Sequence, residues 1–258
     1  MTEPGCDFTD LVSDRMRSID ADDGTAVRTL RKTMQTFVVP TDRHAVWWNS
    51  KAWRNAGVWD QRTRQRVDRL ARSIEGGPRN DRGWVRISRA DVFARAEADP
   101  VDLFLAAMAW GYGARGYGWR RTADIIVAVG EDAVAGAVNR LRAAAGEDGP
   151  QGAWRAWSRG GTAKLRGLDT AFASKVAYFA CYDRVSGTGP LIADQNTAWA
   201  LWALAGIWDS RARQTTYGRY IETAGRWAGE LGCRSDDIER ALFTMGSHMR
   251  GTWQRLNR

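Results

Sequence analysis

The sequence predicts a mostly α-helical protein, on three observations. From about residue 88 to the C-terminus, apolar residues recur at helical spacing. The breaks between these runs are short and carry glycine or proline, as in EDGPQG, DRVSGTGP and GCRS. No stretch alternates apolar and polar residues as a half-buried strand would. With 258 residues, 44% apolar and 26% charged, the chain is neither disordered nor collagenous. It is long enough to bury a core without disulfide support.

Residues 1–25 are acidic, end in DADDG and read as a loose N-terminal arm with at most one short helix at Thr9–Ile19. Residues 26–100 form an N-terminal region with an aromatic cluster, AVWWNSKAWRNAGVW. The run DQRTRQRVDRLARSI places Val67, Leu70 and Ile74 on one face and predicts a helix with a basic outer face. GGPRNDRG is a turn-rich linker, and WVRIS suits one short strand or hairpin arm. Ser88, with Asp91 three positions on, is a helix N-cap. DPVDLFLAAMAW, apolar on all sides, predicts a buried helix that stops in GYGARGYG. Further helices are expected at Thr122–Val129, Glu131–Ala145, Gly152–Ser158, Thr170–Tyr182, Asp194–Trp208, Thr216–Leu231 and Ser235–His248. Residues 101–258 thus form one helical region.

Basic residues exceed acidic ones by eight, and only Lys32, Lys51, Lys164 and Lys175 of the 38 are lysines. Arginine grips phosphate through a planar fork, so the excess favours a polyanionic partner. A GC-rich genome explains the choice of arginine over lysine but not the net charge. Cys6, Cys181 and Cys233 are scattered and odd in number, and the imidazoles are His44 and His248 alone. No disulfide framework, metal site or other cofactor is expected from them. No apolar run spans a membrane, and the N-terminus carries no secretory signal. A cytoplasmic monomer is therefore expected.

The informative segment is 160–204. In GGTAKLRGLDTAFASKVAYFACYDRVSGTGPLIADQNTAWALWAL, a short helix ends in glycine, Leu165-Arg166-Gly167-Leu168 turns the chain, and a second helix starts near Thr170. Gly167 permits a positive φ, so neighbouring amides and the helix N-terminus point outward together, a nest suited to one phosphate. Lys164 and Arg166 flank it. A plain helix corner would have the same pattern. About 25 residues on, Leu191-Ile192-Ala193-Asp194 is an apolar run ending in a carboxylate that opens the next helix. Alone, Asp194 is an ordinary N-cap.

Together the hairpin and the apolar-flanked Asp resemble the helix-hairpin-helix DNA glycosylase superfamily, and in particular the 8-oxoguanine DNA glycosylase-like group found in actinobacteria. The likeness covers residues 101–250, including the glycine–aromatic loop and the closing helix DDIERALF. It implies a two-lobed helical fold and removal of a damaged or modified base from duplex DNA after flipping. It assigns Asp194 to C1′ of the sugar, where a carboxylate stabilises the oxocarbenium-like transition state. The hairpin residues Lys164, Arg166, Gly167 and Thr170 would hold phosphate. Bifunctional members use a lysine nucleophile; alignment of the hairpin puts Ala171 there. Lys175 lies one turn later and 19 residues before Asp194. Water is then the favoured nucleophile, with Lys175 as the bifunctional alternative. In WGYGARGYGWRR, where the superfamily carries its gap-filling loop, Trp110, Tyr112, Arg115 and Tyr117 are candidates for wedge or base pocket. Arg120 and Arg121 are candidates for phosphate contacts. Trp47 and Trp48 are further candidates for stacking on the base. An oxidised guanine or a hypermodified base of the kind some phages carry are both open as substrate, the latter pointing to defence. A non-catalytic hairpin module that only grips nucleic-acid backbone is the competing class.

Overall fold

The computed structural model describes residues 23–36, 40–97, 99–207 and 214–256. The Thr9–Ile19 helix, and the arm up to residue 22, lie outside the described residues; Asp23 already begins a helix. The described chain is helical except for one two-stranded sheet, as the sequence predicts. It divides into two compact units, residues 39–182 and the segments 1–38 and 183–258. This division puts the boundary near residue 100 inside the first unit.

In the 39–182 unit, β1 (Ala45–Trp48) pairs antiparallel with β2 (Val85–Ser88), Trp48 opposite Val85 and Trp47 opposite Arg86. β1 is a strand inside the aromatic stretch that the sequence did not mark, because four residues are too few to show a period. Helices α1 (Asp23–Gln35), α2 (Ser50–Arg54), α3 (Gln61–Ile74) and α4 (Arg89–Phe93) accompany the sheet in sequence, α1 belonging to the other unit. Ser88 and Asp91 form the expected capping box.

The core is α5 (Pro100–Tyr112), which packs against both strands, α3, α4 and the three helices that follow. Asp99 caps it by accepting from the Val101 amide at 2.8 Å, and Pro100 needs no amide partner in the first turn. Leu103 through Ala109 are wholly buried, so each large side chain contributes about 1.5–3 kcal/mol relative to exposure. α6 spans Gly118–Val129 and α7 Glu131–Trp157. The helix is broken at Asp148–Gly149, where EDGPQG predicts the break. α8 (Thr170–Cys181) completes the unit.

The expected basic outer face of α3 needs correction at Arg66. Its side chain is 6% exposed and donates to Asp102 at 2.7 Å, Asp99 at 2.9 Å and Glu131 at 3.2 Å. Thr63 adds a hydroxyl to Glu131 at 2.8 Å. These three acids stand at the N-termini of α5 and α7, so one guanidinium joins three helices. Burial opposes its charge, but the bonds to Asp102 and Asp99 and the Glu131 charge outweigh that and raise its pKa.

In the second unit, α9 (Gln195–Ala205), α10 (Gln214–Leu231) and α11 (Ser235–Leu256) pack with α1. His248, expected at a helix end, lies inside α11, with Nδ1 2.8 Å from the Thr244 carbonyl. No helix of the described residues is long and apolar enough to cross a membrane.

Candidate active site

The hairpin runs from the last turns of α7 into α8. Leu165 and Leu168 point into the core while Arg166 and Gly167 are exposed between them. Gly167 has φ 84°, a conformation that favours glycine. Ala163 donates to the Ala156 carbonyl at 2.7 Å and Leu168 to Leu165 at 3.3 Å, which closes the turn. Lys164 does more than add charge: its ammonium donates to the Leu168 carbonyl at 2.9 Å and ties the loop across its mouth. Asp169 caps α8 through the Phe172 amide. Thr170, in the first turn, is half-buried.

Lys175 points inward from α8 and is 8% exposed. Its ammonium folds back one turn to the Ala171 carbonyl, 3.2 Å away, and lies 5.4 Å from the Phe172 ring centre. The space it occupies exists because residue 111 on α5 is glycine. A Cβ there would stand 2.7 Å from Phe172 Cε1 and 3.0 Å from Lys175 Cδ. The sequence gives no sign of this close approach.

The glycine–aromatic loop is anchored on the same helix. Tyr112 is buried and stacks on Phe172 at 4.1 Å, and Tyr117 meets Tyr112 edge-on at 5.6 Å. Burial, then the Asp169 charge, raises the Tyr112 pKa, so its phenol stays neutral. Trp110 is buried between His44 and Phe179, with the Arg89 guanidinium 5.2 Å from its ring. In this arrangement neither Trp110 nor Tyr112 presents a free face to a base, whereas Tyr117, Arg115, Arg120 and Arg121 are exposed. Trp48 is fully buried against Trp53, so a stacking role for it needs correction to a core role. Its neighbour Trp47 faces outward under Arg86.

In the other unit, Asp194 is the N-cap of α9. Its Oδ1 accepts from the amides of Asn196 at 3.0 Å and Thr197 at 3.2 Å. The Asp194 amide donates to Thr197 Oγ1 at 2.9 Å, completing a capping box. The residues before it are strapped to α10. Tyr217 Oη both accepts from the Leu191 amide and donates to its carbonyl, each at 3.0 Å. Tyr220 Oη donates to the Ile192 carbonyl at 3.1 Å. α11 adds a third constraint: a Cβ at Gly246 would stand 1.9 Å from the Asn196 carbonyl oxygen. Tyr217, Tyr220 and Gly246 escaped the sequence reading because each acts on residues 26 to 50 positions away. The half-buried carboxylate is thus fixed on a turn held from α10 and α11.

Among the described residues no cluster of His, Cys, Asp and Glu forms a metal site. Burial pushes the Cys181 thiol up to about 12 and Cys233 up to about 11, so neither is a ready nucleophile.

No curated protein and no solved structure matches the chain. A protein-family profile does: residues 39–243 match the family described as "Putative 8-oxoguanine DNA glycosylase OGG-like protein". That span takes in the sheet, the hairpin, the Asp194 turn and most of the helices, and the chain belongs to this OGG-like DNA glycosylase family.

Proposed function

We propose that the protein hydrolyses the N-glycosidic bond of a damaged or modified base flipped out of duplex DNA. The observation that carries this reading is the rigidly held Asp194 carboxylate at the start of α9, strapped by Tyr217 and Tyr220. As the C1′–N bond breaks, its electron pair leaves with the base and positive charge grows on the sugar. The carboxylate stabilises that charge and orients a water, whose oxygen bonds to C1′ while its proton passes to the departing base, leaving an abasic site. The hairpin amides around Gly167, with Arg166 and Thr170, hold a backbone phosphate without reading sequence. Lys164 contributes by fixing the turn. Tyr117 and Arg115 fill the vacated stack, while Arg120 and Arg121 meet phosphate. Oxidised guanine is the first candidate substrate, and a hypermodified base, with a role in phage defence, the second.

The test is base release from duplexes that carry candidate bases, read as strand breaks after alkali. Asp194→Asn is expected to lower release by about 10²-fold or more with DNA binding retained. Unchanged release would reject Asp194, and salt-sensitive binding without release from any substrate would favour a non-catalytic module.

The position of the Lys175 amine favours a second reading. It reaches back to Ala171, the position at which the hairpin motif would carry a nucleophilic lysine. There the amine nitrogen bonds to C1′ as the base departs with the bond's electron pair and a proton; the C1′–O4′ bond then opens, O4′ taking the second amine proton, and the resulting Schiff base breaks the 3′ C–O bond by β-elimination. Borohydride trapping that disappears in Lys175→Ala supports this route. An absence of trapping in the parent protein leaves water as the nucleophile.

A further inference from the structure

The outer face of the β1–β2 sheet carries two tryptophan–arginine pairs that the hairpin and the carboxylate do not use. Arg86 lies 5.6 Å from the ring centre of Trp47, its partner across the sheet. Arg82 lies 5.3 Å from the ring centre of Trp84. Alternation along β2 brings Trp84 to the same side as Arg86, while Val85 and Ile87 between and beyond them are fully buried. The turn is preset: Asn80 Oδ1 accepts from the amides of Arg82 and Trp84, both at 3.0 Å. Both rings are part-exposed and both guanidiniums exposed. Among the described residues, neither Arg82 nor Arg86 has a carboxylate partner.

The opposite, inner face of the sheet meets the glycine–aromatic loop, which backs the strands from behind. A Cβ at Gly113 would lie 3.3 Å from Val46 Cβ and 3.4 Å from the Trp47 carbonyl oxygen. At the sheet's edge Arg79 forms a β-bridge with Val85 and lines an open cleft of about 430 Å³ with Lys51. Flat rings with a part-exposed face supply surfaces on which any base stacks, and the arginines beside them bring positive charge for phosphate. A duplex buries its base faces, so such rings have nothing to stack on unless nucleotides are unpaired.

We propose that the outer face of the β1–β2 sheet, through Trp47, Trp84, Arg82 and Arg86, binds unpaired nucleotides of single-stranded DNA by base stacking and phosphate pairing. This goes beyond the glycosylase reading and holds whether or not a base is released.

Anisotropy titrations of the full chain with a labelled single strand, and with the blunt duplex of the same sequence, test it. The double variant Trp47→Ala/Trp84→Ala is expected to weaken single-strand binding at least tenfold and duplex binding less than about twofold. Trp47→Phe/Trp84→Phe, which keeps the flat faces, should restore most of the loss. If thermal melting shows the alanine variant unfolded, Arg82→Gln/Arg86→Gln replaces it. That pair should make log K against log salt shallower by about 1.4 for the single strand. Absence of single-strand binding, unchanged binding in these variants, or equal losses on both DNAs would overturn the proposal.

Discussion

Arg66 on α3 and Arg166 on the hairpin lie in the same compact unit, yet their surroundings are opposite. Arg66 is 6% exposed and held by three carboxylates. Arg166 is exposed, and among the described residues it has no carboxylate within ion-pair distance. The same holds for Arg82, Arg86, Arg115, Arg120 and Arg121. Arginines of the hairpin, the loop and the sheet stand in solvent without an acid, while Arg66 beneath α3 is neutralised and serves the core. The difference teaches that an arginine's contribution here is set by what faces it rather than by local composition.

That contrast can be broken first at Arg66. Arg66→Ala leaves Asp99 without an arginine and Glu131 and Asp102 with only the exposed Arg62 and Arg69, and should cost about 3 kcal/mol in denaturant unfolding, with little change in the salt dependence of DNA binding. Gly246→Ala comes next. Its methyl collides with Asn196, so the α9–α11 contact must open, at about 1–3 kcal/mol. The Asp194 turn shifts with it, so base release should fall further than stability alone explains. Arg166→Ala should leave melting unchanged but weaken DNA binding uniformly across sequences, and lower the salt slope by about 0.9 for the lost phosphate contact. Acid titration sharpens the comparison. Partial desolvation resists ionisation of Asp99, but Arg66 and the Val101 amide hold its pKa below 3.8. A carboxylate with a depressed folded pKa stabilises fully above its unfolded value and loses that contribution as pH falls through the folded one. Thermal stability should therefore drop below about pH 4, and less steeply in Arg66→Ala, where Asp99 has lost its partner. The smallest effect is expected for Arg62→Ala. Its side chain is 65% exposed against Glu131, and such pairs contribute about 1 kcal/mol or less.

The sequence made the helices legible because their apolar periodicity and their glycine and proline breaks are local signals. The GYGARGYG stop, the EDGPQG break and the Ser88 cap all lie within a few residues of what they control. The hairpin and Asp194 were visible for the same reason, as short motifs. Long-range facts were not. The burial of Arg66 depends on acids 33 to 65 residues away, the setting of Lys175 on Gly111, and the tethering of Asp194 on Tyr217 and Tyr220. Among the aromatics, Trp47 and Trp48 are neighbours of one type, and only the pleat of β1 separates an outward ring from a core ring.

The division of the chain has a consequence for its synthesis. Ala26, Val27 and Leu30 of α1 are buried in a unit whose other helices come from residues 183–258. At roughly 5–20 residues per second, α1 emerges from the ribosome some tens of seconds before its packing partners. Meanwhile residues 39–182 contain all the elements of their own compact unit. The nascent chain thus carries α1 with an uncovered apolar face until residues 195–256 have followed it, which opens that face to chaperones and premature self-association.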